Sequence, residues 1–143
     1  MDLGSHPKLI NIMKNEFLNI IYVGSGGFLG SIARYGIARL FQNYSLVFFP
    51  YSTLSANIIG SFILGFLINI ILSTALINPR ISLFLTVGFC GGFTTFSTFS
   101  YENFTMIRDG EFVQAIIYIL FSIILGLLAM YVGFVLSKYI IAR

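Results

Sequence analysis

The chain has 143 residues, 57% of them hydrophobic and only 9% charged. Soluble domains carry about 25% charged residues, so a soluble globular domain is excluded and an integral membrane protein is indicated. A scattered net charge of +3 excludes a nucleic-acid-binding surface, and a single cysteine excludes an internal disulfide.

Met1–Glu16 is a polar lead, expected at the membrane surface or in water; Met1–Leu9 reads equally as native chain or as a cloning remnant. His6, the one histidine, lies in this lead and is poorly placed for catalysis. Phe17–Ala33 carries no charge, and apolar character continues past Arg34 and Arg39 to Phe41. A span needs roughly 20 residues, which predicts a first transmembrane helix at about 17–41. Lys8 and Lys14, a short apolar core and Gly24-Ser25-Gly26 also have the order of a signal peptide. The apolar run continues through the small residues instead of ending there, which favours a span. Gly26 and Gly30 form a GxxxG, with Gly27 and Ser31 parallel to it. Such faces let helix backbones approach closely, and ordinary packing is the plain reading of each.

Gln42–Pro50 reads as a loop, and a second span follows at about 51–77. Its polar and small residues Thr53, Asn57, Ser61 and Gly65 recur every fourth position and share one face. An asparagine in hydrocarbon is expensive unless its amide is satisfied or faces water. Asn57 is therefore either a helix–helix hydrogen bond or a donor to a passing anion. After the turn Asn78-Pro79-Arg80, the third span runs over about 81–106. Gly88, Gly91, Gly92, Thr94 and Thr95 make it a poor helix, so an interruption is expected there. In a bilayer a break is tolerated only where protein or water buries it, often at an ion or substrate site. Phe96 and Phe99 share a face if the helix resumes. Glu102, just past the charge-free run Ile81–Tyr101, reads on its own as an interfacial end residue. Asp109-Gly110-Glu111 is a turn, and the fourth span covers about 112–138, with Tyr118, Ser122 and Gly126 again every fourth residue.

The fold class is thus all-α integral membrane: one domain over 17–143, of four transmembrane helices with the third broken. Four spans put both termini and Arg80 on one side. Lys8, Lys14, Arg80, Lys138 and Arg143 then face Arg34, Arg39 and Arg108. Orientation follows the Lys/Arg bias, and this bias is weak enough to permit insertion both ways and pairing as an antiparallel dimer.

Three stretches resemble the small fluoride channels of the Fluc (CrcB) family. They are Gly91-Gly92-Phe93-Thr94-Thr95-Phe96-Ser97-Thr98-Phe99 with Ser100-Tyr101-Glu102, Thr53-Leu-Ser-Ala-Asn57-Ile-Ile-Gly60-Ser61-Phe62, and Gly27-Phe-Leu-Gly30-Ser-Ile-Ala-Arg34-Tyr35. The resemblance implies a dual-topology antiparallel homodimer in the inner (plasma) membrane, with two fluoride pores and lipid and fluoride as its other partners. It implies a third helix broken mid-membrane and a structural sodium ion on the dimer axis, held by backbone carbonyls of Gly91 and Thr94. By motif position Phe96 and Phe99 match the pore phenylalanines, Asn57 the pore asparagine, and Tyr118 and Ser122 the polar track of the fourth helix. Thr53 and Glu102 match vestibule residues. Gly126 departs from the pattern, where a hydroxyl is expected.

A pore for fluoride must replace tightly held water by weak donors in series. Amide and hydroxyl groups donate, and aromatic edges are electropositive. A dual-topology multidrug or cation exporter is the alternative, but it wants a carboxylate deep in a span; a non-transporting scaffold leaves the polar stripes unexplained. An enzyme is not expected, because no nucleophile–base pair, carboxylate pair or metal cluster assembles from these residues.

Overall fold

A computed structural model describes residues 6–42, 49–74 and 77–141. Residues 1–5, 43–48, 75–76 and 142–143 lie outside the described residues, and with them the start of the polar lead, most of the loop expected at 42–50, part of the end of the second span, and Arg143. The described elements are helical: α1 (His6–Phe41), α2 (Tyr51–Ser73), α3 (Pro79–Leu83), a π-helical stretch Phe84–Cys90, α4 (Gly91–Phe93), α5 (Phe96–Arg108) and α6 (Phe112–Ile141).

Among the described residues three stretches are long and apolar enough to cross a membrane: Tyr51–Ser73, Pro79–Arg108 taken through its interruption, and Phe112–Ile141. The 36-residue α1 is about 54 Å long at 1.5 Å per residue, well beyond the bilayer core. It is less apolar because Asn19, Arg34 and a run of glycines and serines dilute it. The polar lead and first span expected from the sequence are one continuous helix from His6 onward. No glycine or proline interrupts residues 8–23, so nothing there stops propagation.

The third membrane stretch starts cleanly. Asn78 Oδ1 accepts the amide of Arg80 at 2.9 Å, and Pro79 occupies the first turn, where its missing N–H costs nothing. It ends at Gly110, whose φ of +83° suits glycine. Between these ends the interruption falls inside the stretch expected from the sequence, at its threonines and not at its glycines. Gly88 is π-helical, Gly91 and Gly92 are α-helical, and the break falls at Thr94 and Thr95. The physical reason is packing. A Cβ on Gly88 would sit 2.8 Å from the Val23 carbonyl oxygen and 2.9 Å from Gly26 Cα, and one on Gly92 would overlap the Gly27 carbonyl. These glycines serve backbone-to-backbone contact with α1.

Two helix pairs result. Gly26 and Gly30 of α1 meet the π-helical stretch and α4. Residue numbers rise together along that contact, so the two run parallel. The second pair, α2 on α6, is also parallel: Tyr118 packs in the cluster with Leu54, Gly126 lies by Ser61 and Gly65 by Met130. Leu54, Met106, Ala115 and Tyr118 form a small buried cluster, flanked by Phe49, Ile58 and Phe99. Elsewhere α6 exposes Leu120, Phe121, Ile124, Leu127, Leu128 and Tyr131. Helices that are apolar all round belong in a membrane, and the chain is a membrane protein.

Candidate functional site

The break in the third membrane stretch is held by a side chain from α2. Thr95 N donates to Asn57 Oδ1 at 2.8 Å, and Asn57 Nδ2 donates to Thr95 O at 3.3 Å. The amide of Asn57 thus satisfies both backbone groups of Thr95, as a neighbouring strand would. Thr95 is extended (φ −149°, ψ 123°) and caps α5, its Oγ1 accepting the amide of Thr98 at 3.2 Å. A threonine at this position is a favoured N-cap. Both interactions divert amides from the helix. The amide four residues after Gly91 is that of Thr95, now given to Asn57; the amide four residues after Thr94 is that of Thr98, now given to the Thr95 hydroxyl. The carbonyls of Gly91 and Thr94 therefore lose their ordinary helical partners.

One turn from Asn57 on α2, and about two turns from Thr95 on α5, lies a second polar centre. Glu102 accepts from Thr53 Oγ1 at 2.7 Å through Oε1 and from Tyr118 Oη at 2.8 Å through Oε2. Three helices meet there, since Thr53 is on α2, Glu102 on α5 and Tyr118 on α6. Thr53 and Tyr118 are buried. Glu102 is thus a half-buried hub, where its position in the sequence alone suggested a helix-end residue.

Between the break and α6 lies a cavity of about 290 Å³, lined by Asn57, Thr94, Thr95, Phe96, Phe99, Ser122 and Ile123. Its donors are specific. Asn57 carries a second amide hydrogen beyond the one given to Thr95. Ser122 Oγ is buried, with no hydrogen bond of good geometry among the described residues and the Tyr118 hydroxyl nearby, and its O–H can donate to a polar visitor. The rings of Phe96 and Phe99 lie 6.0 Å apart between centroids. Phe96 is 79% exposed, an open face beside the cavity. Phe99 in turn packs on Tyr118 at 5.1 Å. Among the described residues no formal charge lines this space, so an anion there would meet neutral donors.

The structure therefore brings Asn57, Phe96, Phe99 and Ser122 to one cavity, with Thr94 at its rim. Tyr118, Thr53 and Glu102 stand beside it as a hydrogen-bonded set; Tyr118 touches the cavity wall through Phe99 and donates a hydrogen bond to Glu102. Gly91 is exposed with open space where its Cβ would be. Two contributors escaped the sequence reading. Thr95 is the partner of Asn57, and the threonine before a resumed helix is a capping signal that could have located it. Arg34 Nε donates to the carbonyl of Gly92 at 3.2 Å, tying α1 to the broken stretch. Among the described residues no group of three or more His, Cys, Asp or Glu side chains is placed to hold a metal.

A family model described as "CrcB-like protein, Camphor Resistance (CrcB)" matches residues 21–134. A protein of Chlorobium chlorochromatii (strain CaD3) named fluoride-specific ion channel FluC is 44% identical over 127 residues, 89% of this chain and 98% of its own length. A protein of the same name from Chlorobaculum tepidum is 47% identical over 120 residues, 84% of this chain and 94% of its own. One from Ruminiclostridium cellulolyticum is 41% identical over 125 residues, 87% and 96% respectively.

Proposed function

The chain belongs to the CrcB-like family, and from that premise we propose that it is a fluoride-selective channel that lets fluoride leave the cell passively. The observation that carries the reading is the convergence of Asn57, Ser122, Phe96 and Phe99 on one uncharged cavity at a helix break. Fluoride gives up hydration only to donors placed in series, and it leaves only if none holds it firmly. Asn57 and Ser122 supply neutral donors, and the phenylalanine rings offer electropositive edges.

In this reading α1 is the fourth span. Its support is the parallel, glycine-to-glycine contact with a stretch that itself satisfies the length and hydropathy of a span. A second copy inserted the other way completes the channel as an antiparallel homodimer with two pores, in the inner membrane. The weak Lys/Arg bias of the sequence permits it, and the exposed Phe96 offers a face for the second copy to cover.

A structural sodium belongs to the same proposal. Carbonyl oxygens suit a hard cation, and the carbonyls of Gly91 and Thr94 are among those left without helical amides at the break. When bound, the ion supplies positive charge that satisfies these carbonyls and their counterparts in the second copy. Titrating sodium into protein prepared in N-methylglucamine is expected to raise its melting temperature by several degrees. A melting temperature indifferent to sodium removes the ion from the account.

Fluoride and chloride efflux from liposomes, read with ion-selective electrodes, tests the function. The native chain is expected to release fluoride within seconds and chloride hardly at all. Phe96→Ile keeps the apolar volume but removes the aromatic edge, and fluoride release is expected to fall by up to ~10-fold if one ring-edge contact of roughly 1.5 kcal/mol is lost. Well-folded native protein that passes no fluoride overturns the channel.

A further inference from the structure

The polar faces of α2 and α6 form a ladder, because the two helices run parallel and both place polar or small residues at every fourth position. Thr53 and Tyr118 make the first rung, joined through Glu102. Asn57 and Ser122 make the second, both lining the cavity. Ser61 and Gly126 make the third: a Cβ placed on Gly126 would lie 3.7 Å from Ser61 Oγ, with nothing else that near. Successive rungs are about 6 Å apart, four residues at 1.5 Å each.

On the third rung α6 contributes no side chain, so the only hydroxyl comes from α2. Beyond it the lining turns apolar for one groove, and polar side chains of α2 return at Asn69 and Ser73. The next space between the helices is a groove of about 410 Å³ lined by Gly65, Ile68, Leu127, Met130, Tyr131 and Phe134. Ser61 thus stands where the donor-lined cavity gives way to apolar walls, and it reaches the place that a hydroxyl on residue 126 would fill. We infer that Ser61 is an anion-contacting residue of the permeation path, supplying across the helix pair the donor that Gly126 lacks. This inference rests on the fluoride-channel reading and adds a residue to it.

The chemistry is that of a series of donors. Without Ser61, an anion leaving Asn57 and Ser122 crosses another turn of apolar wall before it meets a donor. A hydrogen bond to a charged group is worth about 1.5–3 kcal/mol. Its loss at the highest barrier slows transfer by roughly 10- to 150-fold.

The test is to move the hydroxyl from one helix to the other. Fluoride efflux from liposomes is compared for the native chain, Ser61→Ala, Ser61→Thr, Gly126→Ser and the double variant Ser61→Ala/Gly126→Ser, each first shown to be monodisperse. The room at Gly126 accepts a serine, as the open contact shows. The expected result is efflux at least ~10-fold slower for Ser61→Ala, native-like flux for Ser61→Thr, and recovery by the double variant. Native-like flux in Ser61→Ala overturns the proposal. So does a slow Ser61→Ala that the double variant leaves slow, because a role in packing would not be restored by a hydroxyl on the other helix. A native chain that passes no fluoride overturns the channel reading itself and is told apart by the native control.

Discussion

Asn57→Asp is expected to abolish fluoride efflux while the chain still folds, with the break loosened at one of its two clasps. The substitution keeps the shape of the side chain, and one carboxylate oxygen can still accept the Thr95 amide that Asn57 Oδ1 accepts at 2.8 Å. The other oxygen takes the place of Nδ2, which donates to the Thr95 carbonyl at 3.3 Å. Two acceptors then face each other, and the break loses one of its two clasps. The cavity also loses its amide donor and gains a negative charge in its wall. At an effective dielectric of about 20, two like charges 5 Å apart repel by about 3 kcal/mol, which slows anion passage by roughly a hundredfold. Efflux near the leak of empty liposomes, from protein that elutes as the native chain does, is the expected reading. Flux within tenfold of native places the anion's path away from Asn57. Asn57→Ala separates the two effects: it deletes donor and clasp without adding charge, so efflux from it above that of Asn57→Asp isolates the electrostatic part.

The polar line of α2 was legible because period-four spacing in hydrocarbon has few explanations, and the structure uses every member of it. Thr53 reaches Glu102, Asn57 holds Thr95, Ser61 lies by Gly126, and Gly65 meets the backbone of Met130. Which of these roles a residue takes is a matter of the facing helix, and single-chain periodicity carries no information about the facing helix. The break was legible as a region, Gly88 to Thr95, and the structure puts it at the two threonines of that region. Helix propensity counts each glycine as weak; it does not count the contact that a glycine allows. Gly88 and Gly92 remain helical because α1 lies against them, and the chain leaves the helix at Thr94 and Thr95, where side chains offer the backbone other partners. Glu102 carries in the structure a set of partners that its place in the sequence does not reveal, for a related reason. Its place near the end of a charge-free run suggested the interface, whereas hydroxyls from two other helices satisfy it within the protein. The π-helical stretch left no mark in the sequence that we can identify. The continuous α1 hid behind its composition, since a change from polar to apolar residues marks a change of surroundings and carries no signal for a helix end.

Gly30→Ala is expected to cost more folded protein than any other single methyl group added to α1, except at Gly26. A Cβ on Gly30 would overlap the Phe89 carbonyl oxygen and stand 2.8 Å from the Phe93 amide nitrogen. Neither atom is the end of a flexible side chain. Both belong to the backbone of the π-helical stretch and α4, just before the break, so relief requires the two helices to part along their length. Overpacking a well-fitted contact costs about 1–3 kcal/mol, and more where backbone must move. Helices in a membrane are held chiefly by such close packing, so a parted seam has little else to restore it. The carbonyl of Gly92, which accepts from Arg34 Nε, would move with it and loosen a second tie between α1 and the broken stretch. Gly24→Ala is the matched control: it adds the same methyl group to the same helix, where nothing lies within 4 Å, and alanine is the better helix former by about 1 kcal/mol. The measurement is the monodisperse fraction and melting temperature of each variant in detergent. Gly24→Ala should match or exceed the native chain, and Gly30→Ala should lose most of its monodisperse fraction or melt well below it. Equal behaviour of the two variants would mean that α1 does not meet the third membrane stretch through Gly30, and the parallel pairing that makes α1 a span would lose its support.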